Sequence, residues 1–574
     1  MLVALTAAWL MVGACGGSTA NTGAGTDGGA GSSSGGFGSS SSGSSGGTGS
    51  SSGSGSSSGS SSSSGGSGGS SGGTSSSGGD GGVVDPATCA QAAGSGSYMG
   101  CDFWPTVTPN LVWSIFDYAV VVSNAGSQTA NVSVTGPGNV NQMATVTAGS
   151  TTTMYLPWVS ALKGSDADSC GSVMGVTASV LAPASAYHLT SDLPVTVYQF
   201  NAYEYQGMGG PSGKSWSACP GNTVCTQAGM AIGCYSFSND ASLLLPTTAL
   251  TGNYRVMAHA GWGTGMLPSV VTITATADST TVNVKLSSTG QIIAGTGVAA
   301  TAANGTLTLT MNAGDVAQLV GGNTTTSDPS GSVVQADHPV QVITGLPCVD
   351  VPDTTPACDH IEETVFPAEA LGKDYVVAQP DGPRANVVGQ VVRFYGDFDN
   401  TTLTYVPTSP GGCPTTLAAG QVVDCGVVSS DFEVRGSAPF GVGLFTQGAT
   451  VVDPTTMAPN QEGDPDESFV PPVEQFRTRY LFPAPTVYEQ GFAVVVVPNG
   501  ATLMLDGAPV TQAPTPITGT SFGVVRIALA STSGATHVLE ASAPVSLQVM
   551  GYGSYTSYQY PGGLNLQHIA PPPM

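Results

Sequence analysis

Two clusters of carboxylates are the first candidates for chemistry: Asp359-His360-Ile361-Glu362-Glu363 and Gly463-Asp464-Pro465-Asp466-Glu467. Clustered carboxylates at a joint between domains offer the hard oxygen ligands that calcium takes. Neither cluster carries an Asp-x-Asp-x-Asp-Gly loop, and an acidic linker is ordinarily just solvated. Calcium is therefore the one cofactor the composition admits, and no metal site is assigned. No carboxylate pair stands out as acid and base for glycoside cleavage. His188, His259, His338, His360, His537 and His568 are scattered singly; a lone histidine beside a strand is more often a half-exposed sheet residue than a base. The run from Gly207 to Lys214-Ser215 approaches a phosphate-binding loop, but Met208 stands where a glycine is needed and no strand–helix unit surrounds it. Gly-x-Ser-x-Gly strings arise only from a Gly/Ser tract, without the strand-to-helix elbow of a hydrolase. No catalytic residue is assigned, and the chain reads as a non-enzyme.

Aromatic residues are more suggestive. Tyr198-Gln-Phe200-Asn-Ala-Tyr203-Glu-Tyr205 extends one strand with polar-tipped rings, and Trp216 and Tyr235 flank a Cys-rich loop. Tyr and Trp with few charges suit a glycan or protein contact face. Alternation of the same rings into a core is the competing reading. Tyr198, Tyr203, Tyr205 and Trp216 are the candidate ligand contacts.

The chain has 11 cysteines. Cys15 follows Val12-Gly13-Ala14 at the end of an apolar run from Met1, too short to span a bilayer, which needs about 20 residues. That pattern matches a secretory signal and resembles a bacterial lipobox, with Cys15 as the lipidated residue. Setting Cys15 aside leaves an even number of cysteines in an exported chain, which favours disulfides. Short loops pair Cys89 with Cys101, Cys348 with Cys358, and Cys413 with Cys425, and leave Cys170, Cys219, Cys225 and Cys234 for two further bridges.

These residues need elements to position them. Residues 16–82 are nearly all Gly and Ser, too poor in apolar surface to offset ordering entropy, so they read as a disordered tether. From Val83 the composition turns to Val, Thr, Ala, Tyr and Pro in short alternating runs such as Val270-Val-Thr-Ile-Thr-Ala-Thr, separated by turn residues. The expected fold class is all-β. Of 574 residues only 8% are charged, and Lys+Arg 11 against Asp+Glu 36 gives a net charge of −25. Nucleic acid is excluded as a partner, because its binding rests on basic charge.

Self-comparison finds four copies of a small-x-x-Pro-apolar-x-apolar pattern, at Pro194, Pro339, Pro439 and Pro544. A second piece opens the units: Pro246-Thr-Thr-Ala-Leu-Thr-Gly-Asn-Tyr254 and Pro367-Ala-Glu-Ala-Leu-Gly-Lys-Asp-Tyr375, with a looser copy expected at Pro483. Units of this size with many short strands suggest tandem immunoglobulin-like β-sandwich repeats, with a propeller or one continuous β-barrel as the competing architecture. The expected organisation is a lipoprotein signal peptide over 1–15, the tether over 16–82, and sandwiches over 83–235, 236–350, 351–460 and 461–574.

Several of these segments resemble the N-terminal domain of IgG Fc-binding protein, a family of mucus proteins and bacterial surface proteins. The carriers are Ser191-Asp-Leu-Pro-Val-Thr-Val-Tyr-Gln-Phe-Asn, Ser242-Leu-Leu-Leu-Pro-Thr-Thr-Ala-Leu-Thr-Gly-Asn-Tyr and Ala336-Asp-His-Pro-Val-Gln-Val-Ile-Thr-Gly. They are strand-and-turn signatures, so the resemblance implies fold before partner, and the family name implies immunoglobulin binding. The sequence reading is thus a lipid-anchored outer-membrane or cell-surface adhesin-like module for glycan or protein. A structural envelope spacer and an extracellular hydrolase are the alternatives.

Overall fold

The computed structural model describes residues 85–167, 175–223, 226–227, 230–231, 233–457, 460–529 and 536–573. Cys15, the tether, Cys170 and Cys225 lie outside the described residues.

Alternation becomes strands in a repeated two-sheet plan, clearest in the third sandwich. One sheet orders Thr416–Leu417, Thr401–Val406, Phe432–Gly436 and Asp374–Val377; the other orders Val422–Val428, Gln390–Gly396, Phe440–Phe445 and Glu467–Phe469. Tyr375, Leu403 and Phe432 from the first meet Phe394, Phe440 and Val442 from the second in one buried cluster. The second sandwich repeats the order and adds Val180–Ala182 at one edge. In the first and fourth, a single long strand, His188–Phe200 or Thr536–Gly553, serves both sheets. The recurring prolines mark that passage. Pro194 and Pro544 lie inside the long strands, while Pro339 and Pro439 sit where the chain leaves one sheet for the other. Such positions cost no interior ladder bond. The all-β, tandem-sandwich expectation holds.

The two sheets of a unit differ in what covers them. Thr306–Met311 alternates exposed and buried residues, whereas Val270–Ala275, Tyr118–Asn124 and Phe440–Phe445 are buried along their whole lengths. A strand buried on both faces loses the alternation signal. Here its second face meets other sandwiches and is mixed, with Thr272 and Thr274 on one strand but Val121 and Phe445 in apolar clusters on the others. Thr106 Oγ1 lies 2.9 Å from Thr274 Oγ1, and Gln341 Nε2 donates to the Trp104 carbonyl at 2.8 Å. Ion pairs join the other seams: Arg255–Asp397 at 3.1 Å and Arg393–Asp328 at 3.0 Å between the second and third sandwiches, and Arg526–Asp431 at 2.7 Å between the third and fourth. Buried polar groups favour partners, and these pairs supply some of them, although Gln341 Oε1 and Thr272 Oγ1 on the strands of the first seam have none among the described residues.

Each opening proline leads into one 3-10 turn, at Thr247–Ala249, Ala368–Ala370 and Val473–Gln475. A buried tyrosine then locks the turn. Tyr254, Tyr375 and Tyr480 donate their hydroxyls to the carbonyls of Val340, Phe440 and Val545 at 2.6, 2.5 and 2.5 Å. Each hydroxyl also accepts the N–H of Thr251, Gly372 or Arg477. The third opener is therefore Pro472 and not Pro483, which ends the strand Arg477–Pro483. Arg477 and Arg479 disguised the copy. Replacing Tyr480 by Phe leaves a buried N–H and C=O each short of a partner, and should cost about 1–3 kcal/mol in urea unfolding.

Among the described residues four disulfides join Cys89–Cys101, Cys219–Cys234, Cys348–Cys358 and Cys413–Cys425, with Cα–Cα separations of 5.7, 5.8, 5.3 and 4.3 Å. The three short-loop pairings hold, and Cys219 takes Cys234.

Candidate functional site

The closing strands of the four sandwiches converge. They are β1 (Ala241–Leu244), β2 (Asp359–Thr364), β3 (Glu467–Phe469) and β4 (Thr556–Pro561). β1 and β3 each pack against both β2 and β4, which closes a ring. The chain positions carboxylates on this ring by a common spacing: Asp240 and Asp466 each stand six residues before an opening proline, Pro246 or Pro472. Asp240, Asp359, Glu362, Glu363, Asp464, Asp466 and Glu467 are all at most 1% exposed. The expectation of a solvated acidic linker is overturned, because residues far apart in sequence bury one another's strand ends.

Much of the carboxylate capacity goes to neighbouring strands. Asp240 Oδ2 accepts the N–H groups of Glu362 at 2.9 Å and Glu467 at 3.2 Å, while its Oδ1 accepts Ala241 N–H at 2.8 Å. Asp359 Oδ1 accepts Asn239 N–H at 2.6 Å, and its Oδ2 accepts the Thr556 hydroxyl at 3.0 Å. Asp466 accepts the hydroxyls of Thr446 and Ser557 at 2.6 and 2.7 Å. Glu362 takes Gln199 Nε2 at 3.0 Å and Thr108 Oγ1 at 2.5 Å. His360 donates Nδ1–H to the Leu346 carbonyl at 2.9 Å, which leaves Nε2 facing Thr108 and Asn201. Among the described residues Glu467 has no hydrogen-bond partner on either oxygen.

Burial of this many acids disfavours their charged forms. It pushes Asp466 up to about 7 and Glu467 up to about 8. Asp240, Asp359, Glu363 and Asp464 are held well above the usual carboxylate range, by burial first and then by neighbouring carboxylates. Neutral carboxyls can pack and share protons where anions would repel. Among the described residues no group of three or more His, Cys, Asp or Glu side chains could hold a metal ion. The arrangement is a junction of buried acids, most of them with burial favouring the neutral form, at the meeting of strands from the four sandwiches.

The aromatic candidates divide. Tyr198 is fully buried and shares its one hydroxyl proton between the carbonyls of Gly562 at 2.9 Å and Leu481 at 3.2 Å, so it bridges the first and fourth sandwiches. Tyr205 is also buried, with its hydroxyl on Glu489. Tyr203 is half-buried, edge-on to Tyr155 and Phe200. Trp216 is half-buried, 5.2 Å from Phe116, and its indole N–H donates to the Gly209 carbonyl at 3.0 Å. Tyr203 and Trp216 remain near the surface; Tyr198 and Tyr205 belong to the packing. The sequence reading missed Asp240 and the ring altogether, although the shared spacing before Pro246 and Pro472 was a signal.

Comparisons with known proteins bear on this architecture. The family model described as IgGFc binding protein matches residues 240–551, from the first ring carboxylate to the last long strand. Nothing matches among curated proteins. A solved anti-sigma factor domain-containing protein from Clostridium clariflavum is 10% identical, with 56% of this chain and 83% of that chain covered and a TM-score of 0.11, which carries no argument. The four disulfides fit an extracellular protein, and no helix of the described residues is long and apolar enough to cross a membrane. With more than half of its length matched and the repeated sandwiches in place, the chain belongs to the IgGFc-binding protein family.

Proposed function

We propose that the protein is a non-catalytic, adhesin-like binding module, carried on the cell surface by a lipid at Cys15 and held away from it by the Gly/Ser tether. The observation that carries this reading is the family match over residues 240–551. Its partner is an extracellular protein or a glycan, and the family's printed name makes immunoglobulin Fc the first protein to test. The contact face lies on the first sandwich around Tyr203 and Trp216, two rings that are partly exposed. Rings at such a face bury large area with few rotatable bonds.

The test is an array of immunoglobulin Fc, other extracellular proteins and glycans probed with the oxidised full chain. Saturable binding is expected, weakened about tenfold or more by Trp216→Ala. A blank array with a folded, disulfide-bonded protein would favour a structural envelope spacer.

A further inference from the structure

The loop after the first sandwich's long strand brings an amine and two carboxylates to one point. Asp117 directly precedes the strand Tyr118–Asn124, Glu204 follows the strand His188–Phe200, and Lys214 reaches back from the loop. Lys214 Nζ contacts Asp117 Oδ2, and both side chains are largely withdrawn from solvent, at 12% and 21% exposed. A Cβ added to Gly210 would meet Lys214 Cδ at 2.8 Å, Glu204 Oε1 at 3.0 Å and Asp117 Oδ2 at 3.2 Å, so the three side chains converge beneath that glycine. Gly210 has φ +83°, a conformation that favours glycine and lets the backbone close over them.

An ion pair alone does not account for Glu204. It is 1% exposed, its Oε2 accepts the Asp117 N–H at 3.1 Å, and its Oε1 has no hydrogen-bond partner among the described residues. A second buried acid beside Asp117 would weaken a simple Lys–Asp pair by like-charge repulsion unless it carries a proton. Burial first, and Asp117 next, push Glu204 up to about 8. The Trp216 ring covers the amine, its centroid 4.4 Å from Lys214 Nζ. The arrangement is an amine held against a carboxyl, shielded by an indole, with a proton-carrying acid beside them.

We propose that Lys214 and Asp117 condense into an intramolecular amide, with Glu204 as the general acid and base. Proton transfer within the pair turns ammonium and carboxylate into amine and carboxylic acid. The amine lone pair then forms the Nζ–Cγ bond, and the carbonyl electron pair moves onto oxygen. Glu204 relays the amine's proton to the departing hydroxyl; the C–O bond breaks and water leaves as the carbonyl re-forms. One ammonium and one carboxylate become one neutral amide and one water, so atoms and charge balance without an oxidant or cofactor. The bond fastens the loop bearing Trp216 to the sandwich edge, and it stands independently of any ligand.

Peptide mapping of the oxidised full chain with chymotrypsin tests it. The expected product is a cross-linked species containing Lys214 and Asp117, lighter by one water (about 18 Da) than the two peptides apart. Glu204→Gln should leave both peptides free, and Lys214→Arg should do so in a protein whose circular dichroism matches the parent. Recovery of separate Lys214 and Asp117 peptides from the folded parent would overturn the proposal. Cross-linking in Glu204→Gln at the parental rate would overturn the role of Glu204.

Discussion

Raising the pH from about 5 to 8.5 should lower the melting temperature by on the order of 10 °C, the reverse of a protein stabilised by paired carboxylates. An unfolded Asp or Glu releases its proton near the ordinary range of about 4, whereas the folded chain keeps protons on Asp466 to about 7 and on Glu467 to about 8. Asp240, Asp359, Glu363 and Asp464 move in the same direction, by burial. Over that window the folded state binds more protons than the unfolded one, so stability is present in full below the unfolded value and is lost as pH rises through the folded values. Every tenfold gain in proton affinity on folding is worth about 1.4 kcal/mol, so a few such groups outweigh the opposing ones. Against the effect of burial, the guanidiniums of Arg393 and Arg384 hold Asp424 and Asp453 below the usual range, and the stabilisation from those two acids is lost only at low pH. Scanning fluorimetry across the window, with disulfides intact, checks this; a flat or rising profile would mean the junction is ionised.

The second large effect is expected from Asp240→Ala, at about 3–5 kcal/mol in urea unfolding at pH 6. The substitution removes the acceptor for the N–H groups of Ala241, Glu362, Glu467 and Gln559, which start or belong to all four ring strands. Asp240→Asn retains one accepting oxygen and turns an NH2 toward the other donors, so it should also destabilise, by less. Asp399, exposed and bonded to a loop N–H of Ala419, provides the comparison. Its alanine variant should stay within about 0.5 kcal/mol of the parent.

Sandwich architecture was legible because it is written locally. The four prolines mark the passages between sheets, alternation in Thr306–Met311 marks an outer strand, and ten- or twelve-residue spacings gave three disulfides. The junction was not legible, because Asp359–Glu363 and Asp464–Glu467 are acidic in any local window. Their burial comes from strands more than 100 residues away, as in the Asp240–Glu362 and Asp359–Thr556 contacts. Tyr198 was ambiguous for a related reason: the first sandwich's inner strands are covered on both faces, so position along the strand does not tell core from surface, while Tyr205 lies beyond the strand's end at Phe200. Arg477 and Arg479 hid the third opener by replacing small residues with the cations that reach Asp85.

A binding face on the first sandwich is presented rigidly only if the four sandwiches unfold together through their shared junction, and differential scanning calorimetry at pH 5 tests that most directly. One transition whose calorimetric and van't Hoff enthalpies agree is predicted, breaking into separate transitions in Asp240→Ala. Several resolved transitions in the parent at pH 5 would show four independent beads and contradict a stapling role for the carboxylates.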